Sequence, residues 1–200
     1  MKPNLTTEFA GLKFKNPVTV ASGTFGSKDE YVQYLDYSKL GAIVTKTVTL
    51  IPRKGNKMPR IYETPSGMLN AIGLQNKGID DFIQNKIPYF RKIKTHLIVN
   101  IAGESIEDFV SLAKKLDREK GVSALELNIS CPNVKKGLEF CMVPLLAAEV
   151  VQHVRLGRAG GVRDVAHAGA GEAMGGELCQ RGCLERGAGR DPVDACHVAP

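Results

Sequence analysis

The chain has 200 residues, of which 43% are hydrophobic and 24% charged, values that are ordinary for a globular domain. It contains no apolar stretch of the roughly 18 residues that a membrane span requires and no apolar core of a signal peptide, so neither is expected. The net charge of +6 comes from scattered lysines without interleaved aromatic residues, which argues against nucleic-acid binding. The five cysteines fit no disulfide framework, so we expect a cytoplasmic protein.

Composition changes abruptly along the chain. Residues 1–150 contain 17 Lys, whereas residues 151–200 contain no Lys, Ile, Phe or Tyr and 10 Gly. The second segment also lacks a sustained helical or strand period. We therefore expect one domain over residues 1–150 and a Gly-, Ala- and Arg-rich tail that is disordered or an out-of-frame reading. Four potential metal ligands in this tail match no zinc-binding spacing, and no metal site is predicted: Cys179, Cys183, Cys196 and His197.

The first predicted elements are short strands. Residues 5–14 form two strand-like pieces around Gly11, and we expect a hairpin that acts as a lid. Residues 18–21 are rich in β-branched side chains, which is typical of a strand. The small residues at positions 22–26 would let a ligand approach the backbone closely. The apolar spacing over residues 29–37 predicts a helix.

Residues 41–45 form the next predicted strand, and Lys46 stands at its carboxyl end. A lysine in this place is either a surface charge on an apolar stem or an anchor for an anionic ligand. Residues 47–66 predict a long loop without structure of its own, and such loops are usually functional or disordered. The glycine-rich residues 67–78, which include Asn70, could wrap a ligand.

Helices then alternate with strands. Residues 79–92 have the apolar spacing of a helix, with a break expected at Pro88. Residues 97–101 predict a buried strand. The clearest helix covers residues 105–120, because Ser105 begins a capping-box-like sequence and an apolar stripe follows it.

The stretch ALELNISCPN, residues 124–133, predicts a strand with one well-buried face. Because Pro132 ends the strand, a thiol and two carboxamides come to its carboxyl end: Cys131, Asn128 and Asn133. A thiol can act as a base once its pKa falls below about 8.5, and carboxamides suit a flat ring with alternating C=O and N–H groups. The alternative is a buried cysteine in a turn whose asparagines cap backbone groups.

Strand runs that alternate with helices predict an α/β fold with a parallel sheet. The candidate polar side chains lie at or just after the carboxyl ends of these strands: Ser22, Lys46, Asn100, Asn128 and Cys131. Active sites of (β/α)8 barrels are built at this end, so we expect the first half of such a TIM barrel. A doubly wound sheet is the alternative, although no G-x-G-x-x-G motif follows the first strand.

Four motifs in this order resemble the dihydroorotate dehydrogenase family: ASGTFG at 21–26, the segment 45–78 containing NAIGLQNKG, IVNIAG at 98–103 and ALELNISCPNVKKG at 124–137. The cysteine of the SCPN loop is similar to class 1, and NAIGLQN is similar to the catalytic subunit of the NAD-linked class 1B. The resemblance covers about residues 5–150. It implies an FMN-containing TIM barrel that oxidises dihydroorotate to orotate in pyrimidine (UMP) biosynthesis.

The resemblance also implies the site residues and partners. Cys131 would be the base that removes the C5 proton of dihydroorotate, the C6 hydride would pass to FMN, and Lys46 would contact both ligands. The other implied substrate contacts are Asn70, Ala71, Ile72, Gly73, Leu74, Asn128 and Asn133. The other implied flavin contacts are Ser22, Thr45, Asn100 and Asn128. A partner subunit would carry FAD and a 2Fe–2S cluster, in a heterotetramer built on a homodimer of catalytic subunits.

The chain departs from the family pattern after the SCPN loop. A second Gly is missing after Gly137, and Cys141 stands where a Gly is expected. The break falls between about residues 136 and 151, and from about residue 152 no resemblance is left. We therefore expect the chain by itself to be truncated, to bind no FMN stably and to be inactive. The alternatives are a half-barrel without function and a related flavin barrel such as dihydropyrimidine dehydrogenase.

Overall fold

A computed structural model of the protein describes residues 3–9, 11–25 and 30–129, together with the backbone of residues 163–167. Its centre is a sheet of four parallel strands: β3 (Ala42–Val44), β6 (His96–Ile101), β7 (Ala124–Asn128) and β8 (Arg163–His167). They lie side by side in the order β3-β6-β7-β8. The expected parallel α/β sheet is therefore confirmed, and its described strands form an open sheet.

The sheet has an apolar outer face that carries the main core. Ile43, Val99 and Leu125 point to this face, where they join a cluster with buried residues of the helices. The longest helix, α3 (Ile106–Asp117), contributes Phe109, Leu112, Ala113 and Leu116. Burial of each large apolar side chain stabilises the fold by roughly 1.5–3 kcal/mol, so this layer holds the strands in place.

Helix α3 forms where the sequence predicts it, and its start shows why. Ser105 is the N-cap and its side chain accepts a hydrogen bond from the backbone N–H of Asp108 at 3.3 Å. Asp108 and Glu107 lie in the first turn and Lys114 and Lys115 near the last, which suits the helix dipole.

The helix predicted over residues 79–92 forms three consecutive segments. These are α1 (Gly78–Asp81), a π-helical segment (Phe82–Lys86) and α2 (Ile87–Phe90). Pro88 lies in the first turn of α2, where its missing N–H is tolerated, and the wider π turn precedes it. The proline therefore changes the helical geometry, and the helical backbone continues to Phe90.

The amino-terminal hairpin forms as expected, from β1 (Thr7–Phe9) and β2 (Leu12–Phe14), but it lies away from the predicted site. Phe14 packs with Ala42 and Ala124, which begin their strands, and its ring lies tilted against that of His96, the first residue of β6, with the ring centroids 5.1 Å apart. The hairpin therefore covers the amino ends of the parallel strands. The expectation of a lid was wrong, because apolar Leu12 and Phe14 are needed to fill this end of the inner face.

A second hairpin begins in the loop predicted over residues 47–66 and ends in the glycine-rich residues 67–78. Strands β4 (Ile61–Thr64) and β5 (Gly67–Asn70) pair antiparallel around a two-residue turn. Most of its residues are exposed, so it has no buried apolar face that would produce a strand-like alternation in the sequence. The hairpin matters for the site because it ends at Asn70.

Three further segments differ from their predictions. Within the described residues, residues 18–21 make one bridge, between Thr19 and Ala42, in place of the predicted strand. Residues 30–36 form turns and irregular backbone in place of the predicted helix, and a short 3-10 helix (Tyr37–Lys39) follows them. Strand β8 adds a parallel strand in a region for which the sequence predicted no element. No helix in the described part of the chain is both long and apolar enough to cross a membrane.

Candidate active site

The inner face of the sheet changes from apolar to polar along the strands. Ala42, Ile98 and Ala124 lie at its amino end, and Asn100, Glu126 and Asn128 lie at its carboxyl end. Paired residues of neighbouring strands point to the same face, and Asn100 is the register partner of Glu126. Asn128 follows Glu126 by two residues and so shares that face. The strands therefore deliver three polar side chains to one place.

A chain of hydrogen bonds orients these side chains. The Asn100 Nδ2 group donates to Glu126 Oε1, and the backbone N–H of Asn100 donates to Thr45 Oγ1 at 3.2 Å. Asn128 Nδ2 donates to Thr47 Oγ1 at 3.3 Å. Thr45, Thr47, Asn100 and Glu126 are all buried, so each polar group needs a partner.

At this end of the sheet, two buried acceptors are left without a partner among the described residues: Asn100 Oδ1 and Asn128 Oδ1. Both carboxamides use their Nδ2 donors on neighbours, so their oxygens remain available. An unpaired buried acceptor costs about 1–3 kcal/mol unless a ligand or water donates to it. The pair of oxygens is therefore suited to a flat ligand that offers N–H groups.

Lys46 lies two residues after the end of β3 and is half-buried between Thr45 and Thr47 in the sequence. No carboxylate of the described residues lies within ion-pair distance of its ammonium group. The residues around it line a groove of about 730 Å³ that extends to Asn76 and the start of α1. Among the described residues, five basic side chains and one acidic one, Asp81, line this groove; the basic ones are Lys46, Arg53, Lys54, Lys77 and Lys86. The groove is therefore suited to an anionic ligand.

The predicted substrate-binding segment 70–74 lies at the end of the β4–β5 hairpin. Asn70 is exposed and pairs across the hairpin with Ile61, and Ala71 donates its N–H to the Arg60 carbonyl at 2.9 Å. Ile72 and Leu74 are half-buried, and Gly73 is buried. Within the described residues no hydrogen bond joins segment 70–74 directly to Asn100 or Asn128.

The structure thus brings together part of the predicted site. Thr45, Lys46, Asn100 and Asn128 meet at the carboxyl ends of β3, β6 and β7, while Ser22 lies half-buried in a turn. Cys131 and Asn133 lie outside the described residues, as do the four potential metal ligands of the tail.

Two functional candidates were missed by the sequence reasoning: Glu126 and Asn76. Glu126 could have been found, since a carboxylate two residues before Asn128 on a buried strand must share its face. Asn76 bonds to distant Thr49, a contact for which the sequence contains no signal.

Comparison with known proteins finds the same family in a family model and in individual relatives. A family model described as "Dihydroorotate dehydrogenase" matches residues 4–158. The dihydroorotate dehydrogenase B (NAD(+)) catalytic subunit of Geotalea uraniireducens is 55% identical over 155 residues, which are 77% of this chain and 51% of that protein. The subunit of the same name from Thermoanaerobacter sp. (strain X514) is 58% identical over 134 residues, which are 67% of this chain and 44% of that protein.

A solved structure supports the fold. The crystal structure of DHODH from Eimeria tenella in complex with ferulenol matches 82% of this chain and 51% of that chain, with a TM-score of 0.67 and 21% identity. The chain spans about half the length of the curated relatives it matches. From the matched family model and these relatives, the chain belongs to the dihydroorotate dehydrogenase family.

Proposed function

We propose that the chain provides the amino-terminal half of a catalytic subunit that oxidises dihydroorotate to orotate in pyrimidine biosynthesis. One observation carries the proposal: Asn100 Oδ1 and Asn128 Oδ1 lie on the same face of neighbouring strands, and both are buried and unpaired within the described residues. Flavin and pyrimidine rings both present in-plane N–H donors, which are the partners that these oxygens need. Because the chain belongs to the dihydroorotate dehydrogenase family, we propose a flavin and a pyrimidine as the two ligands.

The described residues fit FMN as the cofactor. Asn100 and Asn128 would accept hydrogen bonds from its ring, and Thr45, Lys46 and Ser22 would line it. When bound, FMN supplies the acceptor for the hydride that leaves the substrate. The residues of the chain would hold and orient the two rings. The hydrogen bond from Asn100 Nδ2 to Glu126 turns the Asn100 carboxamide so that its Oδ1 is available to the ligand.

Charge supports an anionic substrate. Dihydroorotate carries a carboxylate, and Lys46 lies half-buried in a groove whose charged lining residues are mainly basic. Lys46 would hold the substrate anion, and the segment 70–74 would hold the pyrimidine with Asn128 and Asn133. An ammonium in a partly buried site attracts an anion more strongly than one in water, because the local dielectric constant is lower.

Cys131 is the proposed base. In the sequence it follows Asn128, the last residue of β7, by three residues. The C5 proton of dihydroorotate is next to a carbonyl group, so a positioned thiolate can remove it. The pyrimidine contacts would keep this carbon within reach of the sulfur.

The proposed assembly follows the names of the relatives, which are called catalytic subunits of an NAD(+)-linked enzyme. We propose a partner subunit that carries FAD and a 2Fe–2S cluster, a homodimer of catalytic subunits within a heterotetramer, and a cytoplasmic location. A second candidate is a half-barrel that is inactive by itself. The share of the relatives that the chain covers, 51% of the Geotalea uraniireducens subunit, favours this candidate for the 200-residue chain alone.

The test extends residues 1–150 with the remaining half of the Geotalea uraniireducens subunit. We expect this extended chain to bind FMN, seen by its absorbance, and to oxidise dihydroorotate. Cys131→Ala should lower turnover by about 10²–10⁴-fold while FMN stays bound, since only the base is lost. Lys46→Ala should weaken both FMN retention and turnover, and Lys114→Ala on the exposed side of α3 is the matched control.

Three results would reject the proposal. They are an extended chain that folds but binds no flavin, a Cys131→Ala variant with normal turnover, and an extended chain that oxidises dihydrouracil in preference to dihydroorotate. The last result would favour a related flavin barrel instead.

A further inference from the structure

Leu74 has an unusual backbone conformation. Its φ of 52° makes it the only non-glycine residue with positive φ in the described part of the chain, and Gly73 before it has a φ of 77°. A side chain with a Cβ disfavours this left-handed region, so surrounding contacts must hold Leu74 there. The two residues lie within the segment that we propose to bind the pyrimidine.

One side chain holds Leu74. Asn76 Nδ2 donates to the Leu74 carbonyl at 2.8 Å and to Thr49 Oγ1 at 2.9 Å. Asn76 Oδ1 accepts from the backbone N–H groups of Gly78 at 2.8 Å and Thr49 at 3.3 Å. The carboxamide therefore uses both its donor and its acceptor, and it links Leu74 to Thr49.

Thr49 connects this link to the sheet. Its side chain is buried and its hydroxyl donates to the Ile51 carbonyl at 2.6 Å. Val48, the residue before it, forms a parallel bridge with Ile101 of β6, and Thr47 accepts the hydrogen bond of Asn128. Asn76 thus attaches the Gly73–Leu74 backbone to the same strand ends that carry the unpaired carboxamide oxygens.

Other contacts hold the residues before Gly73 but not Leu74 itself. Asn56 donates its backbone N–H to the Ile72 carbonyl at 3.0 Å and its Nδ2 group to the Ala71 carbonyl at 2.8 Å. A Cβ on Gly73 would come within 2.9 Å of the Asn56 side chain, so the backbone there is closely packed. Among the described residues, Asn76 is therefore the residue whose side chain bonds to Leu74, and the backbone of Asn76 is itself held by two hydrogen bonds with Arg53, of 2.9 and 3.1 Å.

We propose that Asn76 is a positioning residue that fixes the left-handed Gly73–Leu74 backbone against Thr49 and thereby sets the affinity of this segment for the pyrimidine. The inference rests on the proposed function for the identity of the ligand. Its conformational part stands on the hydrogen bonds alone.

A purely structural role is the alternative, because Asn76 Oδ1 also binds the N–H of Gly78 at the start of α1. Asn76→Asp separates the two roles. It keeps an oxygen that accepts from Gly78, but it loses the donor to the Leu74 carbonyl and places a negative charge beside it. Thr49→Ser and Thr49→Val form a second pair, in which only serine keeps the hydroxyl.

The first measurement is amide hydrogen exchange of a peptide covering residues 71–77 in the 200-residue chain. Asn76→Asp and Thr49→Val should accelerate this exchange by about tenfold relative to the parent, and Thr49→Ser should stay close to it. Asn85→Asp is the matched control, because Asn85 Nδ2 makes an exposed hydrogen bond to Asp81 at 2.9 Å in the following helical segment. The control should leave the exchange of residues 71–77 unchanged.

The second measurement is the affinity of the extended chain for orotate, the product of the proposed reaction, by titration calorimetry. Asn76→Asp should weaken binding by about tenfold and Asn85→Asp should not. Unchanged exchange in Asn76→Asp would overturn the inference, and so would faster exchange with unchanged orotate affinity. If the unaltered extended chain binds no orotate, the proposed function fails, and the exchange result alone then supports or rejects the positioning of Leu74.

Discussion

Glu126 is the only charged side chain among the described residues that is buried, with 7% of its surface exposed. A carboxylate in such a place is costly unless it is hydrogen-bonded, and its bond comes from Asn100 Nδ2. Because Asn100 is fully buried, this contact decides which way its carboxamide faces. The position of Asn100 was predicted from the sequence, but its orientation depends on a partner from the neighbouring strand.

Glu126→Leu should lower the free energy of unfolding by about 1–3 kcal/mol, because it leaves the Asn100 Nδ2 donor buried without an acceptor. Glu126→Gln keeps an oxygen acceptor and should cost less. Urea denaturation of the 200-residue chain measures both changes. Glu104→Gln is the control, since Glu104 makes an exposed ion pair with Arg53 at 2.8 Å and should change stability by less than about 1 kcal/mol. Equal effects of Glu126→Leu and Glu104→Gln would contradict this role of Glu126.

Elements with a strong local pattern were predicted well, and elements held by distant contacts were not. Helix α3 has a capping serine and an apolar stripe, so its bounds could be read from the sequence. The predicted helix over residues 29–37 gave way to turns. Phe25 stacks on Tyr31 with ring centroids 5.5 Å apart and lies tilted against Tyr37 with ring centroids 4.6 Å apart. These aromatic contacts pack the apolar side chains together without a helix. The spacing of apolar residues in the sequence does not reveal such contacts.

Gly41 shows how a strand depends on close backbone packing. A Cβ at this position would lie 2.1 Å from the Asn16 carbonyl oxygen, and Gly41 donates its own N–H to the Val18 carbonyl at 2.8 Å. Gly41→Ala should therefore displace the backbone before β3 and lower the free energy of unfolding by about 1–3 kcal/mol. Gly67→Ala is the control, because the nearest atom to its Cβ would be Thr64 Oγ1 at 3.8 Å. Similar urea midpoints for the two variants would show that the backbone at Gly41 can shift freely.

The 3-10 helix Tyr37–Lys39 has a pH-dependent cap. Asp36 accepts hydrogen bonds from the Ser38 hydroxyl at 2.7 Å and the Ser38 N–H at 2.9 Å, and these bonds lower the pKa of Asp36 from its ordinary value of 3.8. The folded protein thus favours the ionised carboxylate more than the unfolded chain does. This contribution to stability is fully present above about pH 3.8 and is lost as the pH falls through the lower folded pKa.

Asp36→Asn removes the charge but keeps an oxygen that can cap. The stability difference between parent and variant should be constant above the ordinary pKa of Asp36 and shrink at lower pH. The effect will be small because the carboxylate is exposed to solvent. Urea midpoints of both proteins across this pH range measure the difference, and a gap that stays the same at low pH would remove Asp36 from the pH dependence.

At the scale of the molecule, the alternation of helices and strands was enough to predict the parallel sheet. The register of the strands then places the polar residues of the candidate site side by side. Thr45 follows β3, Asn100 lies near the end of β6 and Asn128 ends β7, so residues far apart in sequence meet at the carboxyl ends of the strands. Strand β8 was not predicted, because the letters RDVAH alternate neither as a half-buried strand nor as a buried one. Its pairing with β7 is a contact between distant segments, which local pattern does not encode.

The open sheet leads to a prediction for the 200-residue chain by itself. Parallel sheets are normally covered on both faces, and the hairpin β1–β2 covers only the amino end of the inner face. The described sheet ends at β3 and β8, where further strands of a barrel would pair. We therefore expect the chain to retain no FMN after ultrafiltration, to show no dihydroorotate oxidation and to associate during size-exclusion chromatography.

Limited proteolysis gives an independent measurement on the same preparation. Residues 168–200 contain 7 Gly and no Ile, Phe or Tyr, so few apolar side chains there could offset the backbone entropy that ordering would cost. We expect the first cleavages after β8, beyond residue 167, with an amino-terminal fragment that persists, as identified by mass spectrometry. The extended chain serves as the control, because it should keep its flavin and elute as a defined species. A yellow and catalytically active preparation of the unaltered 200 residues would show that residues beyond 150 complete the flavin site themselves.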